Sequence, residues 1–133
     1  RTFRILYGTL YRTGSRKVMW YSDYHVWILP VHERVVRLGL TEKMQKNLGA
    51  ILHVDLPSVG SLCKEGEVLV ILESSKSAIE VLSPVSGEVI DINLDLVDNP
   101  QKINEAPEGE GWLAVVRLDQ DWDPSNLSLM DEE

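Results

Sequence analysis

The chain has a single cysteine, Cys63, in 133 residues. An intramolecular disulfide is therefore excluded, and any stability must come from a packed core. Cys63 reads as a small packing residue. No apolar run approaches the roughly 20 residues that a membrane-spanning helix needs. There is no glycine-rich phosphate loop and no serine in a nucleophile-elbow pattern. The three histidines, His25, His32 and His53, have no zinc-like spacing with Cys63. A basic surface is also missing from most of the chain. The overall charge is −8, yet residues 1–17 carry Arg1, Arg4, Arg12, Arg16 and Lys17 with no acid, leaving −13 on the remainder. An acidic body repels phosphates, which argues against nucleic acid as a partner and suits proteins with basic docking surfaces. Little in this inventory supports autonomous catalysis.

What is present is enough for one domain. The composition is 44% hydrophobic and 26% charged, typical of a water-exposed globular fold. Residues 1–17 show neither helical nor strand periodicity. They read as a flexible basic extension: a targeting leader, a misassigned start or a simple arm. The domain is expected over residues 18–133. Within it the chain reads as short strands at Val26–Leu29 (ended by Pro30), Arg34–Leu38, Ile51–Leu56, Val68–Leu72, Ala78–Leu82, Glu88–Ile92 and Leu113–Leu118. Thr41–Leu48 reads as a short helix, N-capped by Thr41 and ended by Gly49. Asp123-Pro124 opens a short terminal helix through Met130. Many short strands with frequent turns indicate an all-β sandwich or barrel.

The informative segment is Glu73-Ser74-Ser75-Lys76-Ser77-Ala78, between two apolar strands. Lys76 falls near the tip of a tight turn, with small residues around it that leave it protruding. A lysine that is to be acylated needs this access. Pro84-Val85-Ser86-Gly87 follows as a second strong turn signal.

Residues 72–93, LESSKSAIEVLSPVSGEVIDIN, resemble the lysine-bearing hairpin of the glycine cleavage system H protein family. The likeness rests on Glu73, Ser74 and Lys76, then Ser83, Pro84, Ser86, Gly87, Glu88 and Val89. His25 and Trp27, Gly39 and Thr41, Leu48-Gly49, Leu56-Pro57 with Gly60, Pro100, Ile103-Asn104, Pro107 and Gly111-Trp112 extend it to the C-terminus. Any one of these is weak; the ordered series is strong. The resemblance implies a barrel-sandwich hybrid with a short internal helix and a short C-terminal helix. It implies lipoate on Lys76, with Glu73, Ser74, Ser75, Ser77 and Glu80 as surrounding site residues. Biotin carriers share the fold but usually flank the lysine with methionine, where this chain has Ser75 and Ser77.

The implied role is that of a carrier, a non-enzymatic subunit moving an aminomethyl group and reducing equivalents on its lipoyl arm. The implied partners are a glycine decarboxylase, an aminomethyltransferase, dihydrolipoamide dehydrogenase and a lipoate-attaching enzyme. A monomer in the cytoplasm, or in the mitochondrial matrix of a eukaryote, is expected. Two alternatives stay open: the same carrier serving lipoyl relay or a redox role, and an unmodified interaction module. One departure bears on them. The family's His-Glu-Trp has a glutamate associated with the cleft for the loaded arm, where this chain has Val26; the acids at Glu42 and Glu80 are retained in kind.

Overall fold

Alternation of inward and outward residues builds most of the molecule. The computed structural model describes residues 18–123. Among these, nine strands run in the order β1 (Trp20–Tyr21), β2 (Val26–His32), β3 (Val35–Leu40), β4 (Ile51–Asp55), β5 (Leu62–Cys63), β6 (Val68–Ser74), β7 (Ala78–Leu82), β8 (Gly87–Ile92) and β9 (Ala114–Leu118). Single-turn helices α1 (Glu42–Gln45), α2 (Asp95–Asp98) and α3 (Lys102–Glu105) fill the connections. One sheet has the order β1-β2-β3-β9-β8-β5 and the other β4-β6-β7, with every pairing antiparallel.

The main core lies where the sheets meet. Ile28, Val36, Leu38, Val89 and Val116 come from the larger sheet, and Val54, Val70, Leu72 and Val81 from the smaller. Leu96 of α2 and Ile103 of α3 are wholly buried in the same cluster. Burying each such side chain is worth about 1.5–3 kcal/mol. A second cluster of Met19, Tyr21 and Trp27, with Leu29 and Trp112, occupies the other face of the larger sheet. Trp27 alternates with Val26 and Ile28, so it must face away from them. Its indole N–H donates to the Pro107 carbonyl at 2.9 Å. Gly39 lies opposite it across the β2–β3 ladder, and a Cβ there would sit 2.3 Å from the indole. The Arg37 guanidinium stacks on Trp112, 4.8 Å from the ring centre.

The expected strands are present, with shifted ends. β2 does not stop at Pro30 but continues to His32. Its register slips between Pro30 and His32, and β1 pairs no further than Ile28, so the proline sits where the ladder is already interrupted. The expected helix over 41–48 is one turn shorter at its C-terminal end. Thr41 caps it, its hydroxyl accepting from the Met44 N–H at 3.1 Å. β1, β5, α2 and α3 are additional, each too short for periodicity to register. The terminal helix expected from Asp123 to Met130 lies outside the described residues from 124 onward, as does the extension over 1–17.

Candidate functional site

The Lys76 hairpin is closed by local hydrogen bonds. Glu73 pairs with Ala78, leaving Ser74 to Ser77 to reverse the chain. The Ser74 N–H donates to the Ser77 carbonyl at 2.8 Å. The Ser74 hydroxyl accepts from the Lys76 N–H at 3.1 Å and the Ser77 N–H at 3.2 Å, and donates to the Ser77 carbonyl at 3.1 Å. A serine oxygen has just this capacity, two lone pairs and one proton. The Ser75 N–H points out of the hairpin and donates to the Ala50 carbonyl at 2.9 Å. Every N–H of the turn thus has an acceptor, while Ser75, Lys76, Ser77 and Ala78 all stay exposed. The main chain is held and the lysine side chain is left to solvent.

The serines therefore divide their work in a way the sequence alone did not reveal. Ser74 organises the turn, Ser75 braces it through its backbone, and Ser77 serves as the closing acceptor. Glu73 and Glu80 are exposed and lie on the outer face of the small sheet, since cross-strand partners share a face. Glu73 pairs with His53 and Ala78, and Ile71 with Asp55 and Glu80. Asp55, Glu73 and Glu80 make this face acidic behind a cationic tip.

Val26 is wholly buried in the main core and pairs with Leu40. No surface of the residue reaches solvent. Its neighbour His25 adopts φ 63°, and its carbonyl accepts from the Thr41 N–H at 3.0 Å, joining the β2 start to the α1 cap. Cys63 is buried; burial pushes its thiol pKa up, against hydrogen bonding from Ser83. A groove past the far end of β7 is lined by Glu65, Ser86, Asp119 and Trp122 among others. None of the hairpin residues lines it.

Two antiparallel sheets closing on one core, with a tied turn presenting a lone lysine, define the barrel-sandwich hybrid of carrier domains. The comparisons agree. The family model described as glycine cleavage H-protein matches residues 19–133. The chain is 60% identical over 110 residues to a glycine cleavage system H-like protein of Chlamydia muridarum, covering 83% of this chain and 94% of that protein. It is 44% identical over 111 residues to a glycine cleavage system H protein of Coprothermobacter proteolyticus, covering 84% and 83%. A crystal structure of a glycine cleavage system H protein from Mycobacterium marinum superposes with TM-score 0.72 at 31% identity, covering 84% of this chain and 89% of that one. The chain belongs to the glycine cleavage H-protein family.

Proposed function

We propose that Lys76 is the lipoyl attachment residue and that the chain acts as the carrier subunit of glycine cleavage. The observation that carries this is the exposed Lys76 at the tip of a turn whose N–H groups are all bonded. The residues present fit the group. Ser75, Ser77 and Ala78 offer no bulk to obstruct acylation of the amine, and among the described residues no side chain hydrogen bond or ion pair holds the ammonium.

A bound dithiolane supplies a disulfide that accepts a one-carbon amine together with two electrons, so the demanding chemistry resides in the cofactor. The chain's own contribution is mechanical and electrostatic. Ser74 and Ala50 hold the turn, so the anchor point is rigid while the arm beyond it turns freely. Asp55, Glu73 and Glu80 offer a negative face that steers partners with basic docking surfaces and releases them readily in salt. Tethering raises the arm's concentration at each docked partner. A glycine decarboxylase, an aminomethyltransferase, dihydrolipoamide dehydrogenase and a lipoate-attaching enzyme are the partners this reading requires, with the carrier itself a monomer. The carrier domain is residues 18–133, with 1–17 outside it. Among the described residues no helix is long and apolar enough to cross a membrane; a cytoplasmic or matrix location belongs to this proposal.

The test is Lys76→Arg. Arginine keeps the charge but is never a neutral nucleophile. The variant should fold as the parent does and gain no mass when treated with lipoate, ATP and a lipoate-attaching enzyme. Lipoate found on the variant, or on Lys43, Lys46, Lys64 or Lys102 by peptide mapping, would overturn the assignment. Glycine-dependent reduction of the loaded parent in the presence of the decarboxylase separates glycine cleavage from a relay or redox role.

A further inference from the structure

Ala50, whose carbonyl receives the Ser75 N–H, is exposed and belongs to a stretch with no regular structure between α1 and β4. Such a stretch is a poor support unless something fixes it. One side chain does so from both sides of Ala50. The Asn104 amide accepts from the Ile51 N–H at 2.8 Å, and its NH2 donates to the Gly49 carbonyl at 3.2 Å and to the Gln45 Oε1 at 3.1 Å. One main-chain donor and one main-chain acceptor set which way the amide faces.

Asn104 is itself anchored. It is half-buried on α3 beside Ile103, which is wholly buried in the main core. α3 is backed by Gly111, where a Cβ would lie 2.6 Å from the Lys102 carbonyl oxygen, and the Gly111 N–H donates to the Ala106 carbonyl at 2.8 Å. At the other end, a Cβ on Gly49 would lie 2.3 Å from the Ser75 Oγ and 3.4 Å from the Lys76 Cγ, so the turn rests directly on this stretch. A continuous path runs from the core through Ile103 and Asn104 to residues 49–51, and on to Ser75 and Lys76.

We infer that Asn104 is a positioning residue for Lys76: its amide fixes the platform on which the lysine turn rests, and so sets where the amine is offered to the enzyme that acylates it. The inference rests on Lys76 being the attachment residue. Acyl transfer needs the amine aligned with the activated acyl group, and a displacement of an ångström in such a reaction is costly.

The experiment uses the full, unmodified chain with Asn104→Ala and the near-isosteric Asn104→Asp. The aspartate retains an acceptor for the Ile51 N–H, loses both donations and turns an oxygen toward the Gly49 carbonyl. Two quantities are measured: hydrogen exchange of the Ser75 amide by NMR, and the kcat/KM of lipoylation by a purified lipoate-attaching enzyme with lipoate and ATP, followed by intact mass. In both variants Ser75 exchange should rise while Val89 and Val116 of the large sheet stay protected, and kcat/KM should fall about tenfold. Unchanged Ser75 exchange and kcat/KM in the folded aspartate variant would overturn the inference. So would a loss of protection equal at Ser75, Val89 and Val116, which would make Asn104 a residue of general stability. Failure of the attachment reading looks different: the parent chain gains no lipoate, while Ser75 exchange still decides whether the platform depends on Asn104.

Discussion

At one end of β7 the chain turns through Ser74-Ser75-Lys76-Ser77, and at the other through Ser83-Pro84-Val85-Ser86. The local chemistry is alike. Each turn opens with a serine whose hydroxyl bonds the main chain just ahead: Ser74 at Lys76 and Ser77, and Ser83 at Val85, accepting from its N–H at 3.3 Å and donating to its carbonyl at 2.7 Å. The surroundings are opposite. Residues 75–77 are exposed, whereas Ser83 and Val85 are 0% and 3% exposed. The stretch from Cys63 to Glu67 roofs the second turn: the Ser83 N–H donates to the Glu67 carbonyl at 2.8 Å, the Gly66 N–H to the Ser83 carbonyl at 2.8 Å, and the Glu65 N–H to the Ser86 hydroxyl at 2.9 Å. A serine turn is a neutral device. Whether it displays a residue or closes a core depends on what is packed over it.

The contrast is sharpest at the glycines beside the two turns. At Gly87 a Cβ would lie 2.1 Å from the Arg117 carbonyl oxygen and 2.9 Å from the Leu118 Cα, all rigid main chain of β9. At Gly49 the nearest atom is the Ser75 hydroxyl, which can rotate away. Gly87→Ala should therefore cost about 2–3 kcal/mol, as overpacking does, and Gly49→Ala less than about 1 kcal/mol by the same principle. Urea denaturation of the two variants checks this, and equal losses would erase the distinction between the turns.

A smaller difference is expected from the serines. Ser83→Ala leaves the Val85 N–H buried without its acceptor, and should cost about 1–2 kcal/mol. Ser74→Ala acts at an exposed turn where water replaces the hydroxyl, and should stay within about 0.5 kcal/mol. Its effect should be local, as faster exchange of the Lys76 and Ser77 amides. A Ser74→Ala loss as large as that of Ser83→Ala would mean that the display turn also supports the core.

The smallest effect lies away from both turns, at the ion pair of Asp95 on α2 with Lys102 on α3. Hydrogen bonds from Lys102 and then Asn99 hold the Asp95 carboxyl below its usual range, and the bond to Asp95 raises Lys102. A lowered carboxyl stabilises the fold above its ordinary pKa and loses that contribution as pH falls through the lowered value. The raised lysine contributes below its ordinary pKa and loses it as pH rises through the raised one. Both groups face solvent, so the contribution is small. Asp95→Asn should slightly flatten the acid limb of a stability–pH curve and leave Lys76 lipoylation untouched. A change in lipoylation would connect α3 to the turn by a route other than Asn104.

Some of this was legible in the order of residues. Short apolar, β-prone runs bounded by turn residues placed Arg34 to Leu38, Ala78 to Leu82 and Glu88 to Ile92 in strands. Thr41 announced a cap. Other features gave weak or misleading signals. Pro30 reads as a stop but sits at a register slip within β2. Leu62-Cys63 is too short for a pattern, and becomes a strand only because Glu88 and Gly87 lie beside it.

The place of Lys76 on an open turn was determined by contiguous residues. A hairpin is a local structure whose signals, two apolar strands around a short run of small residues, all lie within about fifteen positions of one another. The support beneath it was decided only in three dimensions. Ala50 meets Ser75, and Asn104 meets Gly49 and Ile51 across separations of 55 and 53 residues. No local pattern records which asparagine will face which carbonyl; that follows from where the buried Ile103 fixes α3 against the sheets.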